Sequence, residues 1–403
     1  MAIDLKETVR PADGTAVLDL FDERPRLLAL GEPTHREETL LDLRNDLFRY
    51  LVEQEGYRTI ALESDCLKGL LVDEYVTSGA GDLDEVVREG ISHEWGDLAG
   101  NRELVRWMRA YNTDRPASEQ VGFAGFDGPL EITAAASPRQ ALTALHGYLA
   151  THVDADLLPC TRDTLDDLLG ADDRWTEPAA MTDPARSFGR SPEATRLRLL
   201  ADDLAELLDE QEPYLLAATS RPAWDRATLS ARTATGLLRY HHWMADTTSA
   251  RLPRLLGVRD RMMAHNLLAL ARRGPTLVYA HNSHLQREKS AMRMGGDPLE
   301  WWSAGALAHA RLGREYAFVA TALGTIRHQG VDIPPADTLE GLLYALPEDP
   351  CVVDARRLSS ILGDTRPAQR VSPWFGYAPF DPAHLSDSDG LVFVRDLRDT
   401  SAG

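Results

Sequence analysis

The sequence predicts an α/β protein in three layers, built on a mainly parallel sheet, with a large helical insertion forming a cap. Three observations carry this. Residues 27–63 read as strand, turn, helix and strand. From Pro138 to Gly257 strand-like runs vanish and helical periodicity takes over. From Arg259 onward strands and helices alternate again. The expected organisation is an α/β catalytic core of residues 1–137 and 258–403, interrupted by a helical cap of residues 138–257.

In the first unit the apolar run Leu27 to Leu30 stops at Gly31, and a polar turn carries Glu32 and His35. Leu40, Leu43, Leu47 and Leu51 then recur every three or four residues, the period of one buried helical face. Thr34 and Glu37 have the spacing of a capping box, which places the helix start at Thr34. Gly56 ends the helix, and the short strand Thr59 to Leu62 delivers Glu63. Strand-helix-strand crossovers are right-handed and leave their strands parallel. Glu32, His35 and Glu63 therefore fall on one rim, outside the carboxyl ends of the strands, where open α/β sheets bind ligands. A helix N-terminus beside His35 disfavours the imidazolium, so the expected ring is neutral and able to take a proton. Arg44 shares a helical face with Glu37 and Leu41 and is placed to lean back toward the rim.

Composition narrows the function. A chain of 403 residues with 43% hydrophobic and 26% charged residues has enough apolar material for a sizeable core. A formal net charge of -20 argues against nucleic acid and against an anionic membrane surface, since both select basic patches. Cys66, Cys160 and Cys351 are too few and too scattered for a disulfide framework or a cysteine-type zinc site, so reduced thiols and a cytoplasmic location are expected. Met1 to Arg10 lacks the apolar stretch of a signal peptide, and no apolar run reaches the ~18 residues of a membrane span. A small-molecule substrate is the expected partner; oligomeric state is not legible.

Residues 1–26 read as a short helical or irregular lead-in. After Glu63, Leu67 to Tyr75 and Asn101 to Asn112 read as helices, and Val121 to Phe126 as a strand that brings Asp127 to the same rim. The cap contributes helices over Gln140 to His152, Thr161 to Leu169, Glu193 to Ala218 and Trp224 to Ala245. It forms a roof whose substrate-facing wall would include Tyr240 and Trp243, beside His241 and His242. Then come a helix Arg259 to Arg272, a strand Thr276 to Ala280, a helix Pro298 to Leu312, a strand Tyr316 to Ala322, a helix Leu339 to Leu346, and strands Cys351 to Val353 and Leu391 to Val394. His281 and His284 directly follow the strand Thr276 to Ala280, on the rim that carries Glu32, His35 and Glu63. An HxxH pair with His35 and Glu63 would make a plausible zinc set. The same residues can serve in acid-base catalysis without metal. Both readings stay open at this point.

The ordered set GEPTHRE (Gly31 to Glu37), Arg44, ALE (Ala61 to Glu63), WMRAYN (Trp107 to Asn112), FAGFD (Phe123 to Asp127), RDRMMAHN (Arg259 to Asn266) and AHNSH (Ala280 to His284) resembles the erythromycin esterases. The likeness extends through Gly305, Gly313 and Tyr316 and spans most of the α/β framework. It implies a cytoplasmic hydrolase that acts on the lactone ester of a macrolide with no required metal or cofactor. Carried over, His35 looks like the general base that activates water. Glu32 and Glu63 would orient and polarise it, Arg44 would steady the site or a developing oxyanion, and His281 would assist as an acid or positioning group. His284 matches the second histidine of its motif in a supporting role. The family turn usually reads Gly-Glu-x-Thr-His-Gly, often with glycine at x; here those positions are Pro33 and Arg36. Arg36 adds a cation where the family has none, able to pair with Glu32 or to receive an acidic group on a substrate. The resemblance leaves two alternatives. One is a metal-dependent hydrolase with the same residues; the other is a biosynthetic enzyme performing a rearrangement, cyclisation or elimination.

Overall fold

The computed structural model describes residues 8–131, 134–294 and 296–399. Twelve strands are β1 Val9–Pro11, β2 Leu27–Glu32, β3 Thr59–Asp65, β4 Gly122–Asp127, β5 Leu130–Glu131, β6 Ala134–Ala135, β7 Thr276–His281, β8 Lys289–Met294, β9 Asp297–Trp302, β10 Tyr316–Thr325, β11 Cys351–Asp354 and β12 Gly390–Asp396. Eight of them form one sheet in the order β1-β11-β12-β10-β2-β7-β3-β4. From β12 to β4 every pairing is parallel, while β1 and β11 join antiparallel at the far edge. The first two strands of the opening unit are thus parallel but not adjacent, because β7 inserts between them.

Alternation along the strands builds two cores. Leu28 and Leu30 of β2 and Val319 of β10 point into the core under the helices Glu38–Glu55, Gly69–Ser78 and Ala99–Asn112. Leu27, Ala29 and Phe318 point the other way, to the core under Arg251–Ala271 and Ala304–Leu312. Helices on both faces bury the central strands such as β2 and β10, which is why these read as near-continuous apolar runs. Among the described residues no strand lies between Ala135 and Thr276. That stretch holds the helices Arg139–His152, Arg162–Leu169, Pro192–Glu210, Glu212–Ala218, Arg221–Met244 and Arg251–Ala271. The first five pack around their own leucine-rich core, with Leu142, Leu145, Leu165, Leu204 and Trp224 at its centre. The helix Arg251–Ala271 starts earlier than expected and runs unbroken past Gly257.

Four local expectations need correction. The helix expected from Thr34 begins at Glu38 instead, because Arg36 adopts a left-handed backbone (φ 69°) that cannot continue a helix. Glu37 is the capping residue but makes no side-chain cap bond; its carboxylate pairs with His328 at 3.2 Å. The helix expected over Pro298 to Leu312 is half strand: β8 and β9 form an antiparallel hairpin, and only Ala304–Leu312 is helical. The period was there to be read, since Leu299 and Trp301 are buried while Glu300 and Trp302 are exposed. The long helix expected over Glu193 to Ala218 breaks at Gln211, ahead of Pro213. In the lead-in, residues 1–7 lie outside the described residues, Gly14–Leu18 is helical, and β1 is an unanticipated edge strand.

Candidate active site

Strand register creates the site. Glu32 ends β2 and His281 ends β7, and their Cα atoms are direct partners across the two parallel strands. Gly31 is what permits this approach: a Cβ there would sit 2.1 Å from the Asn282 side-chain oxygen. Asn282 in turn donates to the Thr321 carbonyl and accepts from its N–H, so the residue after His281 is fastened to β10.

Glu32 is buried and ties the centre together. One carboxylate oxygen lies 2.7 Å from His35 Nδ1, and the other accepts the Tyr279 hydroxyl at 2.5 Å. A carboxylate only accepts, so His35 carries its proton on Nδ1 and leaves Nε2 free. The His35 side chain is one-third exposed; its ring lies 4.6 Å from that of Trp95 and 5.2 Å from that of His281. Burial alone would lower its pKa, but the charges of Glu63 and Glu32 and the bond to Glu32 outweigh this and raise it. The helix end expected beside His35 is not there, since the helix starts at Glu38, four residues beyond Thr34; the neighbouring carboxylates set the direction of the shift instead.

Arg44 does not reach the open site. It is fully buried beneath Tyr279, 5.0 Å from the centre of that ring, and donates to the Asn45 and Asn101 side chains and the Gly100 carbonyl. It acts on Glu32 through its charge and through Tyr279, whose hydroxyl Glu32 accepts.

Glu63 sits where the β3–β4 register slips between Leu62 and Asp65, an irregularity that re-aims a strand side chain. Its carboxylate accepts from the His281 backbone N–H at 2.9 Å and from Arg259 at 3.1 Å, and His284 Nε2 lies 3.3 Å away. Arg259 also grips the wholly buried Asp127 at 2.6 Å. Behind them Asp260 accepts from His284 Nδ1 (2.9 Å), the Trp301 indole (2.6 Å) and the Ala304 N–H (2.9 Å). Burial opposes ionisation of Glu63, yet His284, His35 and Arg259 hold its pKa well below the usual range. Every oxygen and nitrogen of Glu63 and His284 is thus committed within the protein. Among the described residues no group of three or more His, Cys, Asp or Glu side chains is arranged to hold a metal ion.

The two rim histidines are driven apart. Burial and then the His35 charge lower His281 to about 3; its Nδ1 accepts the Ser283 N–H and faces the Ser283 hydroxyl at 2.7 Å. Against the cost of burial, Asp260 and Glu63 push His284 up to about 10. The linkage signs are opposite. The His284 contribution is fully present below its ordinary 6.5 and is lost as pH rises through 10. The His281 contribution is present above 6.5 and is lost as pH falls toward 3. Urea midpoints should therefore decline on both limbs, and His284→Gln should flatten the alkaline one.

Arg36 is exposed and has no ion pair among the described residues, so it does not reach Glu32. Its left-handed backbone stands where the resembled turn carries glycine. For a non-glycine residue that conformation costs about 1 kcal/mol. Arg36→Gly should gain a few tenths to about 1 kcal/mol in urea unfolding, with the m-value unchanged. Tyr240 is buried in a small cap core with Leu237, Met244, Leu255 and Met262, and Trp243 is half-buried with Arg254 against its ring. Neither touches the Glu32–His35 pair. His241 is a packing residue whose Nε2 meets the Ala136 carbonyl at 2.9 Å. Sequence reasoning gave no role to Tyr279, Trp95 or His93. Arg259 and Asp260 were quoted in one motif without a role, and Asp127 was placed on the rim as a strand-end acid; the arginine-aspartate pair was the available signal.

Fold and site together give an α/β protein with a helical insertion and a histidine–carboxylate centre at the carboxyl edge of its parallel sheet. The erythromycin esterase family model matches residues 52–397, a range that includes Glu63, Arg259, His281 and His284 and begins after the Glu32–His35 turn. This chain belongs to the erythromycin esterase family, whose members are ester-hydrolysing enzymes. It is 26% identical over 318 residues to erythromycin esterase type I of Escherichia coli, covering 74% of this chain and 72% of that protein. Two solved structures share the fold. A Bacillus cereus protein has a TM-score of 0.73 at 16% identity, covering 98% of this chain and 96% of its own. A mutant of the erythromycin esterase EreC in its open conformation has a TM-score of 0.68 at 18% identity, covering 95% and 93%. Among the described residues no helix is long and apolar enough to cross a membrane.

Proposed function

We propose that this esterase uses His35 as the general base that activates water for attack on a lactone or other ester bond of a natural-product-like small molecule. The observation that carries the reading is the 2.7 Å bond between Glu32 and His35 Nδ1, which fixes the tautomer and leaves Nε2, on a partly exposed ring, to take the proton from water. Glu32 is aimed by Tyr279, and Tyr279 by the Arg44 guanidinium, so Arg44 is a positioning residue. His281, neutral at working pH, stands beside His35 as a partner for the reacting groups. Glu63 holds His281 through its backbone and adds the charge that favours protonated His35, while His284 keeps Glu63 in place. Arg36 sits exposed next to His35, where it would meet an acidic group on the substrate; Tyr240, buried in the small core of Leu237 and Met262, and the half-buried Trp243 would support the cap wall from within.

Water supplies the nucleophile, one of its protons passes to His35, the acyl carbon–oxygen bond breaks, and the leaving alcohol is reprotonated. No cofactor enters this scheme. Hydrolysis in heavy-oxygen water tests it: each turnover of an ester screen hit should place one solvent oxygen in the product acid, with the rate unchanged by a chelator. Product without solvent oxygen would instead indicate a rearrangement, cyclisation or elimination. Activity lost to the chelator and restored by zinc or manganese would mark a metal-dependent hydrolase.

A further inference from the structure

The cap carries a groove that the histidine–carboxylate centre does not use. It lies between the helices Pro192–Glu210 and Arg221–Met244 and has a volume of about 260 Å³. One wall is Thr195, Arg198, Leu199 and Asp202, whose spacing of three, four and seven residues puts them on a single helical face; the other wall includes Leu238 and Arg239. The volume falls just under the ~300–1,000 Å³ usual for small-molecule sites, which suits a small ligand.

The arginines of this groove are short of acids. Arg198 is half-buried and has neither a hydrogen bond nor an ion pair among the described residues; burial lowers its pKa and Arg239 lowers it further. Arg261, half-buried on the neighbouring helix Arg251–Ala271, repeats the pattern, unpaired among the described residues and lowered by burial and then by Arg239. Arg239 has one carboxylate, Asp202, at 4.0 Å and on a side chain that is 76% exposed. The same sign continues around the groove. Burial, Arg198 and Arg190 lower His242 against the pull of Asp246, and burial, Arg261, Arg232, Arg239 and Arg311 lower His265. A second arginine-rich groove, at the amino ends of β2 and β7, is built differently: its Arg24, Arg26 and Arg273 pair with Glu55, Glu315 and Asp225. In a chain of formal net charge -20, three guanidiniums that repel one another gain nothing from the fold. A doubly charged anion between them turns repulsion into charge-assisted hydrogen bonds, and the planar guanidinium fork matches phosphate oxygens. Leu199, 56% exposed, and Leu238 add an apolar wall beside the charges.

We propose that this groove binds a small organic phosphate, with its phosphate on Arg198 and Arg239, the charge of Arg261 adding to theirs, and its carbon skeleton against Leu199. The site is separate from the esterase reading and stands or falls without it. Isothermal titration calorimetry of the full chain at low salt tests it. The probes are glycerol 3-phosphate, ribose 5-phosphate and glucose 6-phosphate, with the matching sulfate esters and inorganic phosphate as controls. A phosphate ester carries close to two negative charges near neutral pH, where a sulfate ester carries one. At least one phosphate ester should bind one-to-one, about tenfold or more tighter than its sulfate counterpart. Arg198→Gln and Arg239→Gln should each weaken it by about tenfold. Leu199→Ser should weaken the ester and leave inorganic phosphate unchanged. Asp202→Asn removes the one carboxylate in the described lining and should tighten binding about threefold, a gain that misfolding does not produce. His35→Ala should leave binding unchanged. No saturable binding of any of the three esters, binding that the arginine variants leave intact, or binding that His35→Ala abolishes would overturn the site. Sulfate esters bound as tightly as phosphate esters would overturn the ligand class.

Discussion

His35→Ala should lower kcat/KM by roughly 10³–10⁴-fold on any ester that the protein hydrolyses, with the urea midpoint almost unmoved. The lost proton transfer accounts for about 10²–10⁴ of this, and misplacement of the attacking water for the rest. Stability should hold because the ring is one-third exposed and, among the described residues, its only hydrogen bond is to Glu32, which keeps the Tyr279 hydroxyl. The pH profile offers an independent check. The base works deprotonated, and Glu63 and Glu32 raise its pKa, so kcat/KM of the wild type should climb with pH through a value above 6.5. A profile flat through that range, or a mutant of near-normal activity, would remove His35 from the role.

Arg259→Ala should be the most destabilising single change at the site, by about 3–5 kcal/mol. Arg259 is the cation shared by Glu63 and Asp127, which are 4% and 0% exposed, and its removal leaves two buried carboxylates facing one another. The expected result is a lower urea midpoint at neutral pH that recovers partly in mild acid, as one carboxyl takes a proton. Arg259→Lys should fall between, since an ammonium cannot reproduce the forked contact to Asp127. A midpoint within about 1 kcal/mol of wild type would mean that the two acids share a proton already.

Much of this centre was legible because period and position coincide in the unit Leu27 to Glu63. A buried apolar run ends on Glu32, a helical stripe follows, and a second strand delivers Glu63, so parallel strands put the acids on one rim. His281 was legible for the same reason, by terminating a buried strand. What escaped was set by tertiary contacts with no local period. Arg44 looked like a rim residue because helical geometry gives its face but not its depth under Tyr279. His93 and Trp95 belong to a turn whose shape comes from Ser92 locking onto β3, and nothing in the local pattern announces that. The β8–β9 hairpin was lost to a helical reading that ran from Pro298 to Leu312, although the buried and exposed residues of β9 alternate with the period of a strand. Arg36 hid its left-handed backbone behind a side chain that rarely adopts one.

The unbroken helix Arg251–Ala271 has a mechanical consequence. Its first turns meet the roof, where Arg251 donates to the Met244 and Ala180 carbonyls, and its middle carries Arg259 and Asp260, the two residues that anchor Glu63 and His284. A rigid rod cannot bend at one end without tilting at the other. A displacement of its first turns would therefore reach Arg259 and Asp260 and retune the two acid–histidine contacts that they anchor.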